Sequence, residues 1–187
     1  KIRTLCFLRI SDMMGQFSEA FNFHEFSKKF WKIAQPSLRS LPGTIPSTDN
    51  SPSLLVLLET ISSHHSLIRL LKDDESSVEA AFKCISESSK DRVMDSALNF
   101  VDNLLTEGGL VNPGKDDHVP DCERIGLKLI RNKLDLLLGQ FTRRLKNNEE
   151  NYMKTNQLAS RELDILCRIS FLLVDEVSGD EKVKKML

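Results

Sequence analysis

Apolar residues recur every three or four positions along most of this chain, with polar residues on the opposite side of the helical wheel, so amphipathic helices are predicted nearly throughout. The pattern is clearest from Cys122 to Val177. Leu127, Ile130, Leu134, Leu137, Leu138, Phe141 and Leu145 form one stripe, and Leu158, Ile165, Leu166, Ile169, Leu172, Leu173 and Val177 form another. Neither helix removes its stripe from water alone. Laid antiparallel and stacked on a further pair, both do.

Earlier segments repeat this pattern. Ile2, Leu5, Cys6, Ile10, Met13, Met14 and Phe17 share the broad face of an opening helix, which Gly15 weakens near its end. A second helix is expected from about Phe23 to Leu41, capped by Asn22, with Phe23, Phe26, Phe30, Ile33 and Leu38 apolar and Pro36 kinking or ending it. Ser51 caps a third helix and Pro52 takes its first position, where the missing N–H costs nothing. This helix reaches about Ser62 and has a short continuation from His65 to Leu71. Ser76 or Ser77 caps the next, which buries Val78, Ala81, Phe82 and Ile85. Its partner runs from Lys90 to Glu107 and stops at Gly108. That partner turns Val93, Met94, Ala97, Val101, Leu104 and Leu105 inward, and Asp91, Asp95 and Asp102 into solvent.

The expected fold is all-α, a single HEAT/ARM-like α-solenoid region. Its antiparallel helix pairs fall at about 2–41, 52–71, 76–107 and 124–177, with loops at 42–51, 108–123 and 147–154. A compact irregular bundle is the alternative. The chain opens inside a periodic run and closes on the first turns of another, so an internal piece of a longer repeat protein is expected.

The 187 residues are 40% hydrophobic and 28% charged, which suits a folded chain rather than a disordered one. The longest aliphatic run, Leu54 to Leu58, is far below the roughly 20 residues a membrane span needs, so no membrane partner is expected. With 26 Lys and Arg against 27 Asp and Glu, any attraction to nucleic acid must be local. Cys6, Cys84, Cys122 and Cys167 are widely spaced, with no C-x-x-C, which favours a reducing compartment.

No phosphate-binding glycine loop, zinc-protease helix or nucleophile elbow occurs, so neither an enzyme nor a cofactor is expected. His64 and His65 point to different sides of a helix junction. Asp116, Asp117, His118 and Asp121 lack further ligands at fixed spacing, so no metal site is expected. Phe17, Phe21, Phe23, Phe26, Phe30 and Trp31 have the composition of a base-stacking platform, but their helical spacing favours core packing. One electrostatic feature stands out. Arg124, Lys128, Arg131 and Lys146 lie along one flank of the late stripe, interrupted by Asp135, and are the candidates for RNA or partner contact. Lys133, Arg143 and Arg144 are expected elsewhere on the exposed surface. The competing explanation for the flank is long stems covering the edge of the core.

The segments RISDMMGQFSEAFNFHEFSKKFWKIAQPSL, SPSLLVLLETISSHHSLIRLL and NQLASRELDILCRIS resemble the down-regulated-in-metastasis family, very large helical-repeat proteins of the small-subunit processome. The resemblance implies a scaffold in the nucleus and nucleolus that supports early cleavages of the precursor of small-subunit rRNA without cutting RNA itself. It implies ribosome-assembly proteins and pre-rRNA or snoRNA as partners, with no small-molecule substrate and no catalytic residue. The alternative is a HEAT/ARM adaptor outside ribosome biogenesis that binds peptides in a concave groove.

Overall fold

Periodicity of this kind should yield helices whose burial follows their stripes, and a computed structural model of the chain shows where it does and does not. Residues 2–17, 23–39, 51–87, 91–106, 125–147 and 161–171 are described, and no strand occurs among them. The helices are α1 (Ile2–Gln16), α2 (Phe23–Arg39), α3 (Ser51–Ser62), α4 (His65–Ile68, extended by a 3-10 turn to Leu71), α5 (Glu75–Glu87), α6 (Asp91–Thr106), α7 (Ile125–Asn132) and α8 (Leu134–Asn147). The chain divides into two units, Lys1–Lys146 and Asn147–Leu187. The loops at 42–51 and 108–123, the capping residue Asn22 and the stop at Gly108 lie outside the described residues or at their edge.

In the first unit, α1 packs on α3 and α3 on α6. All three run the same way. A methyl group placed on Gly15, at the end of α1, would lie 3.6 Å from the Thr60 side chain and 3.4 Å from the His64 ring, at the end of α3. Asn99 of α6 donates to Glu59 Oε1 at 2.9 Å, and Asn103, one turn on, donates to Ser62 Oγ at 3.1 Å, so the contacts climb α3 and α6 together. These helices begin at residues 2, 51 and 91, which is 49 and 40 residues apart and close to the ~40–47 residue pitch of HEAT and armadillo repeats. Helix α3 lies between its neighbours and buries Leu54, Leu55, Leu57, Leu58 and Ile61 almost completely, which is why its sequence is apolar nearly all round. Each such side chain contributes about 1.5–3 kcal/mol of transfer free energy.

A second set of helices covers the first. α5 packs on α6, with Phe82 and Phe100 tilted at 6.2 Å, and α2 packs on α5, α3 and α4. α8 runs parallel to α5. Lys133, just before its first turn, is tied to Glu75 and Glu79, and its later residues Gln140 and Arg144 reach Ser86 and Ile85.

Four local expectations need correction. In α1 the buried residues are Phe7, Ser11 and Met14, whereas Leu5, Cys6, Met13 and Phe17 of the expected face are exposed. The helix is apolar on both sides, and contact with α3 selects one. In α2 the chain stays helical through Pro36 to Arg39. In the final turn the proline removes only one helical bond, and Leu38, fully buried, anchors that turn. The cap of α5 is Asp74, buried, which accepts from the Ser77 N–H at 3.3 Å and the Ser77 hydroxyl at 2.6 Å; Ser76 and Ser77 lie inside the helix. Arg39 donates to the same carboxylate at 2.8 Å. Finally, the long helix expected from Arg124 is broken at Lys133, whose N–H bonds to Ile130 O at 3.1 Å in a tighter turn.

In the second unit, residues 161–171 are helical. Glu162, Ile165 and Ile169 are buried, Leu163 and Phe171 are exposed, and Arg168 meets Asp164 at 3.6 Å. Leu158, Leu172, Leu173 and Val177 of the expected stripe lie outside the described residues, as does the loop from 148 to 154.

Candidate functional site

The basic flank read from the sequence is carried by α7 and α8. α7 buries Leu127, Leu129 and Ile130 against the unit and lies close to α6 at Gly126, where a methyl group would sit 2.3 Å from the Leu104 carbonyl oxygen. Only glycine permits that backbone approach. The seating turns Lys128 fully outward and leaves Arg131 half-buried. Lys146 is exposed near the far end of α8, beyond the break at Lys133, and Arg124 lies outside the described residues. The structure therefore places Lys128 and Arg131 on one short helix and separates them from Lys146.

Two cations expected on the open surface are fasteners instead. Lys133 Nζ lies 2.8 Å from Glu75 Oε2 and 2.7 Å from Glu79 Oε1, and Asn132 donates to Glu75 Oε1 at 3.0 Å. The hydrogen bonds from Lys133 and then Asn132 hold the Glu75 carboxyl below its ordinary value of 4.5, and the two carboxylates hold the Lys133 ammonium well above its own. Arg144, only 9% exposed, donates to Ile85 O at 3.3 Å in the last turn of α5, beside the hydrogen bond from Ser86 to Gln140. Arg143 is exposed. The sequence did hold a signal for the first fastener. Like charges at i and i+4, such as Glu75 and Glu79, repel on a helix unless a cation sits between them.

The aromatic cluster of the N-terminal region divides in two. Trp31 is 3% exposed and Phe7 is buried, while Phe30 is half-buried, 5.9 Å from Phe7. Phe26 stacks on Phe30, with planes 5° apart and centroids at 6.4 Å, yet keeps 42% of its surface exposed, and Phe17 keeps 51%. On the same outer side of α2, Lys28, Lys29 and Lys32 are exposed, opposite the buried Ser27, Trp31, Ala34 and Leu38. Phe21 and the Phe23 side chain lie outside the described residues.

Among the remaining candidates, the His64 imidazole N–H donates to Thr60 O at 2.9 Å and so caps α3. No three His, Cys, Asp or Glu residues converge on a metal-sized point among the described residues, and the loop with Asp116, Asp117, His118 and Asp121 falls outside them. Cys6 and Cys167 are exposed, and Cys84 is buried with its thiol directed to Ala80 O at 3.2 Å. No described helix is long and apolar enough to cross a membrane. Lys133 and Arg144 thus fasten helices to one another, whereas Lys128, Lys146, Lys29 and Lys32 are presented outward.

Against known proteins, residues 1–187 match the family model described as U3 small nucleolar RNA-associated protein 20, N-terminal. No curated protein and no solved structure matches.

Proposed function

The chain belongs to the U3 small nucleolar RNA-associated protein 20 N-terminal family, and on that premise we propose that it is a non-catalytic scaffold segment of the nucleolar small-subunit processome. It acts in pre-rRNA processing and small ribosomal subunit assembly, as one arc of a longer helical-repeat protein of the down-regulated-in-metastasis type. The observation that carries this is the family match along the whole chain. The parallel stacking of α1, α3 and α6 at HEAT-like intervals supports the scaffold part, since successive repeats that cover one another's apolar faces yield a long rigid surface. In this proposal the four antiparallel pairs are degenerate HEAT repeats, and Arg124, Lys128, Arg131 and Lys146 meet RNA phosphates or ribosome-assembly proteins.

Purifying the full-length protein from cells and sequencing the RNA that accompanies it tests the proposal. Enrichment of U3 small nucleolar RNA and of small-subunit pre-rRNA is expected. Recovery with neither RNA, and with transport or phosphatase components instead, would leave the adaptor alternative standing in its place.

A further inference from the structure

We infer that the outer face of α2 is a binding strip for single-stranded RNA, formed by Phe26, Lys29, Lys32 and Ile33. It is separate from the basic flank of α7 and α8. The choice of RNA over other polyanions rests on the function proposed above; the existence of the strip rests on the geometry of α2.

Helical spacing puts Phe26, Lys29, Lys32 and Ile33 on one side of α2, opposite the buried line of Ser27, Trp31, Ala34 and Leu38, with the exposed Glu25 among them and Lys28 at the margin. Lys28 shares its charge with Glu25 at 3.4 Å, but neither Lys29 nor Lys32 has an ion-pair partner among the described residues. Beside these cations Phe26 keeps 42% of its surface exposed and Ile33 73%, so apolar and cationic groups share one open face of the helix. Phe26 is also held in place. It stacks on Phe30, which rests against the buried Phe7 of α1, so its plane is fixed before any ligand arrives. A preset aromatic plane next to lysines without a direct ion pair, Lys29 and Lys32, is the combination that single-stranded nucleic acid uses, with a base on the ring and phosphates on the ammonium groups. An acidic peptide would satisfy the lysines yet has no need of a flat, buttressed ring, so the aromatic geometry favours RNA.

The test is photocrosslinking of the purified full-length protein to a short unstructured RNA carrying bromouridine, with adducts mapped by mass spectrometry. Nucleotide adducts are expected on the peptide spanning residues 23–39, declining as salt is raised. Phe26→Ala should lower the adduct yield there roughly five- to 150-fold, the range of one base–aromatic stack. Lys29→Gln with Lys32→Gln should lower it too and weaken its dependence on salt, by about 0.7 in the log–log slope for each phosphate no longer neutralised. The double variant alters only exposed positions and so keeps the fold. Adducts elsewhere in the protein with none in this segment would overturn the inference, as would adducts here that both variants leave unchanged. A synthetic acidic peptide that binds wild type and loses affinity in the lysine variant, while RNA does not crosslink here, would overturn it in favour of a protein partner. None of these outcomes depends on which RNA accompanies the protein in cells, so failure of the strip and failure of the proposed function are distinguishable.

Discussion

The two lysine- and arginine-rich regions of the first unit, α7 with α8 and the outer face of α2, look alike as strings of letters but differ in what already holds their charges. On α7 and α8, Lys133 is clamped between two carboxylates and Arg144 is sunk against the end of α5. On α2, Lys29 and Lys32 have no such partners among the described residues. Charge density in a sequence therefore overstates a binding surface wherever helices from distant parts of the chain meet, because the meeting consumes cations. It is more informative where the cations share a face with exposed apolar groups.

Substitutions should separate the two regions, starting with the seat of α7. Gly126→Val drives a side chain into the Leu104 backbone and should destabilise the chain by about 3 kcal/mol, measured by urea unfolding. Arg144→Met takes the donor from Ile85 O in a buried setting and should cost about 2 kcal/mol in the same assay. Lys133→Met leaves Glu75 and Glu79 facing each other without a cation. Its melting temperature should fall by less than that of Arg144→Met, because the clamp is partly open to water. Lys29→Gln with Lys32→Gln should stay within about 0.5 kcal/mol of wild type. A large loss there would mean that the α2 lysines are fasteners too, and the contrast would collapse.

The clamp also has a pH signature. Glu75 has its folded value below 4.5, so its share of stability is complete above that pH and is lost as pH falls through the lower folded value. Lys133 has its folded value raised, so its share is complete below its ordinary 10.5 and is lost only in strong base. Stability from the clamp should be level from about pH 5 to 10. Glu75→Gln should flatten the acid limb of a stability-against-pH curve, and an unchanged acid limb would show that the clamp contributes nothing.

Much of the architecture was legible in the letters. The apolar run of α3, the interruption between Ser62 and His65 and the inward stripe of α6 all follow from periodicity, because each of these helices has one arrangement that removes its apolar surface from water. The failures share a cause. α1 carries apolar residues on both sides, so the face expected from periodicity, with Leu5, Cys6, Met13 and Met14, kept only Met14 inside, and the neighbouring α3 brought Phe7 inward with it. The cap at Asp74 is local, through Ser77 three residues on, but periodicity does not distinguish it from Ser76 or Ser77, and the Lys133 at the break meets Glu75, far away in the chain. Of the basic flank, Lys128 and Lys146 are exposed and Arg131 is half-buried; outside it, the sequence could not show that Arg144, expected on the open surface, would be drawn inward by a carbonyl on α5.

The common direction of α1, α3 and α6 carries an electrical consequence. Peptide dipoles aligned in one sense leave about half a negative charge at each carbonyl terminus, and here three such termini gather along a single rim. None of the three helices has a lysine or arginine in its last turn, whereas α2, α7 and α8 end with Arg39, Arg131, and Arg144 with Lys146. Side-chain donors from His64 and Asn103 occupy carbonyls at that rim. That rim therefore carries a partial negative charge that no lysine or arginine in the last turns of its own helices offsets.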